Sequence, residues 1–238
     1  MASLEGIFAL ELASHGAQVI AIEGREANNA RARFAAIALG LSNVEFVTDD
    51  VRNLSEEKYG RFDVVPCSGS FYHLPGEDVC QFVRSVAEVC ARLAIIDTHV
   101  GLCDDSSISW SGHTHHWTLF SEHSAADSSS AKMGRTFVTP DNDRSFWLTK
   151  RFLLNVLRDV GFSSESEILS SKSIPDFVDR LTFAALRGEA RQVVMSPELE
   201  RSPEPDWPEG SPLQPYPAQR IARPRFWERP AAGIRHKS

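Results

Sequence analysis

The sequence predicts an α/β fold: a Rossmann-like, doubly wound and mostly parallel sheet with an antiparallel closing pair. Three observations predict it. Between Gln18 and Val51 an apolar run, a helix-like segment and a second apolar run follow one another, and two parallel strands need a crossover of this kind. An acid stands at the exit of each run, Glu23 after the first and Asp49-Asp50 after the second, and in open parallel sheets ligands sit at the carboxyl ends of strands. Two late runs, Glu165–Leu169 and Thr182–Leu186, suit an antiparallel pair that closes the sheet.

In chain order, Leu4-Glu5-Gly6-Ile7-Phe8 leads into a helix over Ala9–His15, with Leu10, Leu12 and Ala13 on its apolar face and Gly16 closing it. Val19–Ile22 is a short continuous apolar run, the pattern of a strand covered on both faces. Asn28–Leu41 carries alanines, Phe34, Ile37 and Leu41 at helical spacing, and Val44–Val47 starts the next strand. After the polar connection Arg52–Arg61, Phe62–Val65 is a strand that Pro66, lacking an N–H, is expected to break. Cys67–Pro75 is a small, turn-prone loop at its carboxyl end. Val79–Leu93 is an amphipathic helix, and Ala94–Ile96 is a fourth strand ending in Asp97. These four strands are expected to be parallel members of one sheet. Residues 101–144 hold no sustained period and read as a lid or substrate insertion. Ser145–Thr149 precedes a helix over Lys150–Val160. The domain is expected to span 1–195. From Ser196 to Ser238 prolines interrupt every pattern, the composition of a disordered or peripheral tail.

Composition narrows the function. A net charge of −7 argues against a general nucleic-acid or membrane-surface binder. No apolar run reaches the length of about 18 residues that a membrane span needs, and Met1–Gly6 lacks the layout of a signal peptide. Cys67, Cys80, Cys90 and Cys103 contain no Cys-x-x-Cys pair, so they read as reduced thiols in a cytoplasmic protein.

Glu23 and Asp50 admit two readings. Carboxylates at strand ends accept hydrogen bonds from ribose hydroxyls and an exocyclic amine, which a bound adenosine offers; they also cap helices and stabilise first turns. Gly6, at a helix start, lets backbone N–H groups approach an anion. His113, His115, His116, Glu122 and His123 in the insertion, with Asp97 and His99, are possible metal ligands, although their spacing suits a solvated lid better and no metal site is assigned. Asp179-Arg180 is either a structural ion pair or a hold on a polar substrate.

This order of elements resembles the class I S-adenosylmethionine-dependent methyltransferases over roughly residues 3–190. The matching residues are Leu4-Glu5-Gly6, similar to the end of the glycine-rich first motif; Val19-Ile20-Ala21-Ile22-Glu23; Thr48-Asp49-Asp50-Val51; Phe62-Asp63-Val64-Val65 with Cys67-Ser68-Gly69; and Gly161-Phe162 after the late helix. The resemblance implies S-adenosylmethionine as cofactor. It places Gly6, Glu23 and Gly24 beside the methionine and ribose, Asp49, Asp50 and Val51 beside the adenine, and Cys67, Ser68 and Gly69 beside the methyl donor. Tyr72 and His73 fall where the acceptor approaches. Imidazoles titrate near neutrality and accept protons from hydroxyls or amines, so His73 is a candidate base; otherwise the two side chains shape the pocket.

The implied substrate is a small molecule, with an RNA base as the alternative. Other functions to weigh are a non-catalytic module keeping the fold and, since a ribose-binding acid after the second strand is shared, a nicotinamide oxidoreductase. No Gly-x-Gly-x-x-Gly supports the last. In one respect the sequence departs from the family. Only Met1-Ala2-Ser3 precedes Leu4, so the central first strand and part of its glycine loop are expected to be missing, with impaired cofactor binding and marginal stability as the consequence.

Overall fold

The computed structural model describes residues 1–188 except Ala2, Glu77, Asp104, Ala125, Thr136, Phe137, Pro140, Asp141 and 171–178, and leaves out the side chains of Met133, Leu169 and Ser170. The tail expected over 196–238 lies outside the described residues. In order, α1 (Ile7–Ser14), β1 (Val19–Glu23), α2 (Glu26–Leu39) and β2 (Val44–Thr48) are followed by a 3-10 turn at Val51–Asn53 and a short α3 (Glu56–Tyr59). Then come β3 (Phe62–Ser68), a 3-10 turn at Phe71–His73, α4 (Asp78–Val89) and β4 (Cys90–His99). The insertion supplies β5 (Ser106–Trp110), β6 (His113–Ser121) and α5 (Ser129–Gly134); β7 (Arg144–Leu148), α6 (Lys150–Asp159), β8 (Ser164–Ser170) and β9 (Arg180–Leu186) complete the described elements.

The α/β fold is the one expected, but its strands do not form one sheet. β1 and β2 pair in parallel by themselves, while β3, β4, β9 and β8 form a second sheet, parallel between β3 and β4 and antiparallel thereafter. Between β1 and β3 the described residues supply no strand. Backbone hydrogen bonds from the chain start reach into this gap, with the Met1 amino group donating to the Pro66 carbonyl at 3.0 Å and the Ser3 N–H to the Ile22 carbonyl at 3.3 Å, and Ile20 and Ile22 of β1 pack against the core of the four-stranded sheet. The first described elements are α1 from Ile7 and then β1, with no described strand ahead of them.

Pro66 does not break its strand. It sits inside β3, in register with Ile95 of β4. The N and O of one residue point to the same side of a strand, and the Pro66 oxygen faces Met1, so its missing N–H falls on the unpaired edge, where proline is tolerated. The structure also differs over residues 101–144. They are not one irregular loop: β5, β6 and β7 make a three-stranded antiparallel sheet, with Trp117 opposite Leu148 and His115 opposite Ile108.

Two hydrophobic clusters hold the described part. The larger buries Val79, Phe82, Val83, Val86 and Val89 of α4 against Val65, Ala94, Ile96 and Phe183 of the four-stranded sheet, with Phe152, Leu153, Val156 and Leu157 of α6. The i, i+3, i+4 and i+7 spacing of those residues is what turns one helix face inward. The smaller cluster is Ala9, Ala21, Ala32, Ala36 and Phe46 around β1 and β2. Alanines dominate it because α1 and α2 pack close to the strands.

Candidate active site

A cavity of about 700 Å³ opens at the carboxyl ends of β1, β2 and β3 and extends into the gap between β1 and β3. Ile7, Phe8 and Leu12 of α1 and Ile20 of β1 form its apolar wall. Glu23, Gly24, Asp49, Asp50 and Val51 line one end, and Ser68, Gly69, Tyr72, His73 and Arg180 the other. The structure thus brings nine of the eleven residues singled out from the sequence to one cavity. The other two are displaced. Gly6 is buried, its N–H is already given to the Ser3 carbonyl at 2.8 Å, and a Cβ on it would stand 2.8 Å from the Phe46 ring and 2.9 Å from Ala32. Its role in this structure is close packing of the α1 start against α2 and β2. Cys67 is fully buried, contacts Ser70 Oγ at 3.0 Å and has its thiol pushed up by burial.

Glu23 is buried with its carboxylate engaged: Oε2 accepts the Leu4 N–H at 2.9 Å, and Oε1 accepts the Arg25 N–H at 3.1 Å and Asn28 Nδ2 at 3.2 Å. A carboxylate offers about four acceptor positions, so about one remains. Leu4 reaches Glu23 from a left-handed backbone (φ 48°). At the next strand end the two acids differ. Asp50 caps the 3-10 turn through the Arg52 N–H (2.9 Å) and pairs with the Arg52 guanidinium. Asp49 accepts from Lys58 at 2.7 Å, Asn53 at 2.8 Å and the Tyr59 hydroxyl. Burial alone would raise the Asp49 carboxyl, but the hydrogen bonds from Lys58, Tyr59 and Asn53 hold it below the usual carboxylate range.

At the other end His73 lies in the 3-10 turn that follows β3. Its Nδ1 is 2.7 Å from Glu122 Oε1, and Ser145 Oγ donates to the same oxygen at 2.6 Å. The Glu122 side chain is fully buried, and its Oε2 has no hydrogen-bond partner among the described residues. As a carboxylate Glu122 only accepts, so a neutral His73 carries its proton on Nδ1 and its lone pair on Nε2. The His73 ring lines the cavity. Tyr72 packs beside it at 4.2 Å between ring centroids and meets His99 edge-on at 4.8 Å. Burial pushes the Tyr72 phenol up to about 12, so it remains an O–H donor at neutral pH. Arg25 pins the insertion over the cavity by donating to the carbonyls of Arg135 (2.8 Å) and Val138 (2.7 Å).

The histidines of the insertion are dispersed. His115 stacks on Phe152 at 4.3 Å, and His123 donates from Nε2 to the Thr139 carbonyl at 2.6 Å. Among the described residues no three His, Cys, Asp or Glu side chains converge as a metal site. Glu122 was legible only as one possible ligand. Its pairing with His73, 49 positions away, leaves no local signal.

A family model described as a methyltransferase domain matches residues 2–92. The ubiquinone biosynthesis O-methyltransferase of Acinetobacter baumannii is 32% identical over 95 residues, which are 40% of this chain and 38% of that protein. The chain thus spans well under half the length of the curated relatives it matches. Among solved structures, the N-terminal domain of EvdMO1, crystallised with S-adenosylhomocysteine (SAH) and D-fucose, is 26% identical, with a TM-score of 0.60 over 79% of this chain and 73% of that one. The 1,6-didemethyltoxoflavin-N1-methyltransferase of Burkholderia thailandensis shares the fold at 15% identity and a TM-score of 0.52, over 78% of this chain and 68% of its own.

Proposed function

We propose that this chain, which has the fold of the class I S-adenosylmethionine-dependent methyltransferases and their methyltransferase domain over residues 2–92, methylates a hydroxyl of a small molecule. The observation that carries the reading is His73 held through Nδ1 by buried Glu122, on the wall of a cavity whose far end bears the strand-end acids. The relatives point the same way: one is an O-methyltransferase, and one was crystallised with SAH and a sugar.

The residues present fit S-adenosylmethionine. A volume of about 700 Å³ lies in the range of ligand pockets. Glu23 keeps about one acceptor position for a ribose hydroxyl, Asp49, Asp50 and Val51 flank the adenine end, and Ser68 and Gly69 border the methyl-donor end. When bound, the cofactor would supply an electrophilic methyl on a sulfonium for the acceptor oxygen. His73 removes the hydroxyl proton at Nε2, and Glu122 keeps that nitrogen unprotonated beforehand and stabilises the imidazolium afterwards. Tyr72 and Gly69 shape the acceptor's approach, and alignment supplies much of the rate in such displacements.

The engagement of Glu23 by Leu4, Arg25 and Asn28 favours a second reading, a module that keeps the fold without turning over. Calorimetric titration with SAH separates the two. We expect wild type to bind and Glu23→Ala to lose about 1–3 kcal/mol, the cost of an unpaired polar contact. Absence of binding by wild type would leave the second reading standing.

A further inference from the structure

Apart from His73 Nε2, the acceptor end of the cavity is lined by side-chain hydrogen-bond donors and by no carboxylate. Among the described residues the acids that border the cavity are Glu23, Asp49 and Asp50, all at the opposite end. The acids nearest His73 and Arg180 are not part of its lining: Glu122 faces His73 and Ser145, Asp97 faces Arg180 and Thr182, and Asp179, next to Arg180 in the chain, faces His99 at 3.0 Å. Arg180 donates to Asp97 through Nε at 2.9 Å and through Nη2. A guanidinium has five N–H donors, so three remain. Its side chain is 34% exposed and borders the cavity. Being already fixed by Asp97, it loses little rotamer freedom on binding.

Tyr72 completes the pair. A Cβ placed on Gly69 would lie 3.7 Å from the Tyr72 hydroxyl and 3.8 Å from Arg180 Nη2, so the phenol and the guanidinium converge on the space above the Gly69 backbone. Burial keeps the phenol protonated, and no acceptor among the described residues takes its proton. A carboxylate accepts only, and it suits two converging donors.

We propose that Arg180 and Tyr72 hold the acidic group of a small hydroxylated acid whose hydroxyl faces His73. This rests on the methyl-transfer reading above. Because Asp97 neutralises Arg180, selection comes from the directed N–H and O–H groups and not from a net positive field. The same donors suit one other carboxylate, that of the methyl donor's amino-acid end, and the test separates the two sources.

Calorimetry of the full chain saturated with SAH compares m-hydroxybenzoate with m-hydroxybenzamide, which differ in the acidic group alone. We expect the acid to bind about tenfold more tightly, the scale of one charge-assisted hydrogen bond. Arg180→Gln should abolish that preference and Tyr72→Phe should reduce it, with SAH affinity unchanged in both. Arg180→Lys, which retains a charge beside Asp97, should keep part of it; if Arg180→Gln fails to fold, Tyr72→Phe and Arg180→Lys decide. Equal affinity for acid and amide in a wild type that binds SAH overturns the proposal and leaves methyl transfer intact. Weakened SAH binding in Arg180→Gln with the acid preference preserved also overturns it, by assigning the guanidinium to the donor. If wild type binds no SAH, the methyl-transfer reading fails, and the same acid–amide comparison without SAH still decides the anion site.

Discussion

Glu122→Gln separates the catalytic reading of His73 from a structural one. The substitution keeps shape and removes charge. In the native site Oε1 accepts from His73 and Ser145 while Oε2 is buried without a partner. Losing charge assistance weakens two hydrogen bonds by roughly 1 kcal/mol each, and the new amide N–H group adds an unpaired donor costing about 1–3 kcal/mol. Against this, a buried carboxylate carries a desolvation penalty of several kcal/mol that the amide does not. The terms nearly cancel, so stability should change by no more than about 2 kcal/mol in chemical denaturation. The effect on turnover is different in kind. With the amide oxygen still accepting but uncharged, the hold on the Nδ1–H tautomer weakens and the imidazolium formed on proton removal loses its counter-charge. Transfer of a tritiated methyl to m-hydroxybenzoate should fall about 100-fold, within the range ascribed to general bases. Long-range proton–nitrogen NMR of His73 should show the proton on Nδ1 in wild type and redistributed in the variant. Unchanged turnover together with an unchanged tautomer would refute the reasoning.

Two further expectations concern the frame of the site. Gly6→Ala combines a φ of +81° with a Cβ 2.8 Å from Phe46; left-handed strain of about 1–2 kcal/mol and overpacking of about 1–3 kcal/mol should lower stability by about 2–5 kcal/mol in a denaturant melt. Asp49 and Tyr59 should give a stability plateau with two limbs. The Asp49 carboxyl is depressed in the fold, so its contribution is present above the unfolded value of about 4 and is lost as pH falls through the folded one. Burial and the Asp49 charge raise the Tyr59 phenol, so its contribution is complete below about pH 10 and is lost as pH rises through the folded value. Tyr59→Phe should lower the plateau by about 1–2 kcal/mol and remove the alkaline limb, read from urea midpoints across pH.

β1 and β2 were legible as continuous apolar runs; α2 forms where expected, but Phe34 and Ile37 of its expected apolar stripe are exposed and its buried face is Asn28, Asn29, Ala32 and Ala36. α4 and α6 were legible from their apolar positions at helical spacing, although α4 ends at Val89 and Cys90–Leu93, expected to be helical, open β4. Pro66 misled because its cost depends on which strand edge lacks a partner, and sequence does not state that. The sheet in the insertion was missed because β6 contains His113, Thr114, His115, His116 and Thr118, a polar composition whose burial, on His115 and Thr118, is set by α6 and β7. The strand-end residues of the site were visible as local motifs. Glu122 was not, because its meeting with His73 requires the whole β6–β7 turn to fold back over the loop after β3.

The separation of the β1–β2 ladder from the four-stranded sheet has an energetic consequence. The pair is held by its alanine-rich cluster, by Ile22 and Ile20 reaching the larger core, and by the bonds of Met1 and Ser3. Continuous ladders distribute the cost of opening over a whole sheet; here it falls on a few contacts with little apolar area. Subglobal opening is therefore cheapest in the half that carries Glu23, Asp49 and Asp50, and the low-stability end of a fold is where ligand-gripping elements are commonly drawn from. A nucleoside clasped by those acids would add its binding free energy to the weakest unit of the molecule and tie the two halves together more tightly.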